Sequence, residues 1–298
     1  MSVLPEPMAN QPADTGVEAR PARTVRLWHR LVRHRSFQVG SIGVLILAAV
    51  AIIGPLLVGD PDQTNYKNKL AAPSAMHWLG TDSNGRDLLS RAVHGAGVSF
   101  EAALIVFALT TVIGIGLGVP AGLMGGPFDI FVSRICDVML GLPSLVLALA
   151  VVGALGPGFG NLVLAMSLTG WAGLAKLSRS LALSSRHRPD VLAARMAGIG
   201  RARIAVGHVL PGVFAHGLIA ATLGLGETIL GLAGLSFLGL GVQPPTAEWG
   251  SMLNEGRIDL NVAPWLLIGP GIGLVITVTA ITLISDALRD CADVSELA

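Results

Sequence analysis

The chain has 298 residues, of which 52% are hydrophobic and 13% charged, with a formal net charge of +1. A water-soluble domain carries roughly 25% charged residues, so too little charge is present to coat a water-facing surface, and lipid must cover much of the molecule. Two cysteines, Cys136 and Cys291, lie far apart and match no metal or redox spacing, which leaves no disulfide framework, no metal centre and no cofactor to expect.

Residues 1–36 are polar, with Pro5, Pro7, Pro12 and Pro21 and a basic cluster from Arg20 to Arg35. Residues 39–58 follow without a charge, about 30 Å as a helix and enough to cross a bilayer. The long basic region and the absence of a small-residue cleavage pattern argue for a cytoplasmic tail feeding an uncleaved first span rather than a signal peptide. A polar external segment up to residue 100 comes next. Its pairs of Asp82, Asp87 and Arg86 read as a salt-bridge cluster that shapes the loop, while His77 and His94 are too isolated to be metal ligands.

Residues 102–124 form the second charge-free run, and residues 138–175 the third. As one helix the latter would reach about 57 Å, nearly twice the hydrocarbon core. Gly156-Pro157-Gly158 breaks it, predicting spans at 138–155 and 159–175. The stretch 209–247 is interrupted only by Glu227 and reads either as one long tilted helix near 216–240 or as two short spans. The last span is 264–284. With six spans and the tail inside, the inner segments hold fifteen Lys and Arg and the outer ones five, which places both termini in the cytoplasm. The permease core is then 101–288, with a basic cytoplasmic loop at 176–211 and a C-terminal tail at 289–298.

That loop carries the most informative pattern. Ala193-Ala194, Gly198 four residues on, and Leu210-Pro211 resemble the loop by which ABC importer permeases engage their ATPases. Small residues let a short helix seat in another protein's groove, Arg195 and its neighbours can meet an acidic rim, and Gly198 permits a turn. Further segments carry the same resemblance in the same order: His77-Trp78-Leu79-Gly80-Thr81-Asp82 with Gly85-Arg86-Asp87 and Ser90-Arg91; Ser236-Phe237-Leu238-Gly239-Leu240-Gly241 with Pro244-Pro245 and Glu248-Trp249-Gly250; and Pro264-Trp265, Pro270-Gly271 and Asp286-Ala287-Leu288-Arg289-Asp290. Over residues 25–293 the chain is similar to the peptide/nickel class of ABC permeases, specifically to the second of its two paired permeases.

The resemblance implies an all-α, six-span bundle of the type I importer kind. It also implies a homologous permease as partner, two ATP-binding subunits at the cytoplasmic face, and a solute-binding protein outside. Nothing points to a nucleic-acid partner or a catalytic residue. No Gly-Lys pair occurs in the chain, so it lacks a P-loop, and ATP hydrolysis is expected on another polypeptide. Two departures stand out: Leu192 occupies the place of the loop's glutamate, and Leu232 the place of an acidic residue often found before the Leu-Ser-Phe-Leu-Gly segment. Glu227 is a separate matter. It is the one formal charge deep in a span and lines the solute path, or else makes a structural hydrogen bond. A secondary transporter would show an internal repeat, which is absent. An intramembrane serine protease built on Ser236 and His216 would need a Gly where Phe237 stands. Dipeptides and oligopeptides are the leading substrates, with nickel or another chelated metal as the alternative and glutathione-like or opine-like solutes behind.

Overall fold

The computed structural model describes residues 31–296, with side chains from 31 to 291. The acidic and basic positions of the tail before residue 31, and the side chains of the C-terminal tail after 291, lie outside that range. All regular structure among the described residues is helical, apart from a single bridge between Thr81 and Asp87.

Helix α1 (Arg35–Leu57) begins before the apolar run and ends at its limit. Helix α2 (Leu88–Met124) starts fourteen residues ahead of the expected second span, because Asp87 caps it: the carboxylate accepts the Ser90 backbone N–H at 2.8 Å. The external segment therefore ends at Asp87, and the residues up to 100 belong to a helix.

The third expected span, 138–155, is not one helix. Helix α3 (Gly126–Leu140) and helix α4 (Ser144–Leu155) meet at a 94° bend. Pro143 is the cause, since it excludes helical backbone at the residue before it and cannot donate into the preceding turn. The break at Gly156-Pro157-Gly158 falls where the sequence places it, between α4 and helix α5 (Phe159–Gly170). Helix α6 (Ala172–Ser185) continues from α5 through Trp171, whose own backbone is helical.

Helices α7 (Pro189–Met196) and α8 (Arg201–Ile204) fall in the basic loop expected at 176–211. A π-helical turn (Ala205–Val209) then joins α8 to helix α9 (Leu210–Phe237), so one 37-residue helical rod, Arg201–Phe237, stands where a span near 216–240 was expected. Short helix α10 (Trp249–Gly256) and a 3-10 turn (Pro264–Leu267) precede helix α11 (Ile268–Glu296). Among the described residues, four helices are long and apolar enough to cross a membrane, five if the bent α3–α4 pair is one span. The remaining crossing of the six-span reading falls on α5 and α6 end to end, neither of which is long enough alone.

The closest helix pairing is α2 against α6. Gly114, Gly118 and Gly122 recur every fourth residue and so share one face of α2. A methyl group on Gly118 would come within 2.3 Å of the Ala175 carbonyl oxygen, and one on Gly122 within 2.5 Å of the Arg179 carbonyl oxygen. Backbone meets backbone along this seam. Where lipid tails are as apolar as side chains, such close packing is the main source of helix–helix attraction.

Candidate coupling and translocation sites

In the basic loop, α7 is well formed for so short a helix. Pro189 takes a first-turn position, Asp190 lies at the N-terminus and Arg195 at the C-terminus, matching the helix dipole at both ends. Arg188 holds the Asp190 carboxylate through two contacts of 2.9 and 3.1 Å. The helix closes on Gly198 at φ +75°. Its N–H donates to the Arg195 carbonyl, and the Ile199 N–H donates to Ala194. These two bonds form a Schellman ending, which requires a left-handed residue at that position.

Val191 and Ala194, three residues apart, are buried. They join a cluster with Ile115 and Val119 of α2, Ala182 of α6, Ile204 of α8, and Val209 and Val213 at the start of the α9 rod. Leu210 packs against the same cluster. The opposite face presents Leu192, Ala193, Arg195 and Met196, the last 89% exposed. Of the residues expected in the coupling loop, Ala194 and Leu210 thus face inward, and Ala193, Arg195, Gly198 and Pro211 are exposed. Pro211 explains the π turn. It has no N–H to return to residue 207, and the Leu210 N–H instead bonds five residues back to the Ala205 carbonyl.

Behind α7, α6 is clamped to α3. Arg179 grips both oxygens of Asp129, one through its Nη2 at 2.7 Å and the other through Nε, and Lys176 reaches Asp137 at 2.7 Å. Sequence reading missed these pairs because it treated Asp129, Asp137, Lys176 and Arg179 as residues of connections between spans, and nothing along the chain says which connections lie side by side.

At the opposite end of the bundle, around the start of α2, charges converge on a buried guanidinium. Arg91 is 1% exposed. It contacts Glu255 at 3.2 Å and donates to the Pro245 carbonyl at 3.1 Å. Arg86 bridges Asp82 at 2.6 Å and Glu255 at 2.9 Å. Asp82 and Arg86 form the expected cluster, but Asp87 stands apart from it, capping α2 and meeting His77 at 2.7 Å. Nearby, the Glu248 carboxylate is buried and caps α10, accepting from the Gly250 and Ser251 N–H groups and from the Ser99 hydroxyl. Trp249 packs edge-on against Phe100 and donates its indole N–H to the Ala92 carbonyl. Sequence alone offered no signal for Glu248 or Glu255 beyond their place in or beside a recognised segment.

Glu227 is exposed on α9 and makes no hydrogen bond or ion pair with a described residue. Leu232, by contrast, is buried. Five residues is about 140° around a helix, so the two positions face different ways and Glu227 does not stand in for the acidic residue missing at 232. Ser236 is buried and lies on the same helix as His216, twenty residues or about 30 Å along it, too far to pair for nucleophilic catalysis.

Residues 114–293 match the family of binding-protein-dependent transport system inner membrane components. Residues 23–73 match the N-terminal transmembrane domain of oligopeptide transport permease C. The dipeptide transport system permease protein of Alkalihalophilus pseudofirmus is 37% identical over 98% of this chain and 95% of its own. The nickel transport system permease protein of Escherichia coli is 39% identical over 87% and 94%. The glutathione transport system permease protein of Escherichia coli is 37% identical over 89% and 88%. A helical membrane chain that shares this domain and nearly the whole length of these permeases belongs to the binding-protein-dependent transport system inner membrane component family.

Proposed function

We propose that the chain is one permease subunit of an ATP-driven importer for dipeptides and oligopeptides. It pairs with a homologous permease, receives solute from a binding protein outside, and meets two ATP-binding subunits inside, where both of its termini lie. ATP is hydrolysed on those partners and no covalent chemistry takes place on this chain. One observation carries the reading. The buried side of α7 is keyed into the cytoplasmic ends of α2, α6 and the α9 rod, while its other side offers Leu192, Ala193, Arg195 and Met196 outward. A partner that grips the outward side and moves with ATP binding displaces three spanning segments together, a two-state element biased from its end. Glu227 belongs to the solute path.

Nickel is the second reading, favoured by the nickel permease among the relatives. Uptake in cells lacking this chain separates the two. Resistance to toxic dipeptide analogues with normal radioactive-nickel uptake supports the peptide reading. Lost nickel uptake with unchanged peptide sensitivity refutes it.

A further inference from the structure

We infer that Glu227 gives the solute path a preference for positively charged solute groups, an ammonium or a metal cation; this rests on reading the chain as an importer permease with α9 along the path. Glu227 lies ten residues inside the outer end of α9 at Phe237, about 15 Å by helical rise and so close to the middle of a hydrocarbon layer about 30 Å thick. A carboxylate at that depth is too costly to leave facing lipid. The chain itself neither covers it nor supplies a partner: the side chain is exposed, and no ion pair or hydrogen bond reaches it from a described residue. It therefore faces water in a passage or a cation that arrives there.

The surrounding face of α9 fits a passage. Positions 220, 224, 227, 231 and 234 fall on one side of the helix, and all but Glu227 are alanine or glycine. A methyl group added at Gly224 or Gly234 would meet nothing within 4 Å. A methyl group at Gly231 would instead meet Met166 Cε at 2.8 Å, so the open space beside the charge is at Gly224, at a depth where a negative group raises local cation concentration and opposes anions.

The test uses membranes of the native host holding the assembled importer, with Gly224→Cys introduced into this chain. The native Cys136 and Cys291 are buried, and the unsubstituted chain reports their background. Cationic and anionic methanethiosulfonate reagents of matched size are compared. The expected result is faster labelling by the cation, with the cation-to-anion rate ratio falling about tenfold when Glu227→Gln is added, the effect of one charge roughly 6 Å away acting oppositely on the two reagents. A ratio unchanged by Glu227→Gln overturns the inference. So does a residue 224 closed to both reagents, which would mean that lipid or the partner permease seals this face. Gly234→Cys repeats the measurement should the first variant fail to assemble.

Competition then distinguishes the source of the positive charge. Slowing by dialanine but not by N-acetyl-dialanine identifies an ammonium, and slowing by nickel ion a metal cation. Slowing by none of them overturns a role in solute recognition. Labelling at 224 that does not respond to vanadate trapping of the ATPases refutes the gated-path reading itself, whatever the charge ratio does.

Discussion

The region around Arg91 and the seat of α7, at opposite ends of the bundle, are held by contrasting contacts. Around Arg91, the segments before α2 and after α9 are locked by charge-assisted hydrogen bonds with buried members: Arg86 and Arg91 share Glu255, and Glu248 satisfies two backbone N–H groups and a hydroxyl. Such networks are directional and fail sharply when one member is lost. At the other end, α7 is held by small aliphatic contacts at Val191 and Ala194 and by a glycine-ended turn. Aliphatic packing has no preferred direction, so α7 can shift against its cluster at low cost. The Arg91 network is suited to keeping its shape, and the seat of α7 to transmitting a displacement.

Substitutions that test this contrast rank themselves by their effect on stability. Arg91→Ala takes from Glu255 one of its two guanidinium partners, leaves the Pro245 carbonyl without its donor and empties the space of a side chain only 1% exposed, and should cost about 3–5 kcal/mol, read as a large fall in the unfolding midpoint of the purified chain or as its loss from the membrane. Glu248→Ala strips the cap from α10 and should cost about 2–3 kcal/mol by the same assay, from two unsatisfied N–H groups and one hydroxyl. Gly198→Ala places a side chain at φ +75° and should cost roughly 1 kcal/mol. Its larger effect is expected on stimulation of ATP hydrolysis by loaded binding protein, because the end of α7 would be re-aimed.

Met196→Asp should change stability by less than about 0.5 kcal/mol, since the side chain touches little of its own chain. Transport should nevertheless fall at least tenfold, as a charge would face the partner's groove. Wild-type uptake by Met196→Asp would remove α7 from the coupling reading. An Arg91→Ala chain that stays folded and active would mean that the outer network is decoration rather than a lock.

Much of the architecture was visible as runs of uncharged residues, because a span must exclude charge and satisfy its own backbone. The break at Gly156-Pro157-Gly158 was legible for a local reason, since Gly and Pro act on the backbone wherever they stand, and the short helix around Ala193-Ala194 through its small residues and the turn at Gly198. The 94° bend carried a signal too, in Pro143, but a long uncharged run concealed it. Helix α2 exceeded its charge-free run because burial, not lipid, shelters Arg91 at its start. Sequence displays the charge but not the partner that shelters it.

By itself the sequence determined an all-helical membrane chain, the family resemblance, the small-residue pattern from Ala193 to Pro211 and the isolation of Glu227 among apolar residues. All of these are properties of near neighbours along the chain or of composition. Only the tertiary structure decided that Gly114, Gly118 and Gly122 meet α6, that Arg91 finds Glu255 across 164 positions, and that Glu227 faces away from its own bundle while Leu232 faces into it. Those facts depend on which helix lies beside which, and a pattern read along one helix identifies a face without saying what that face will touch.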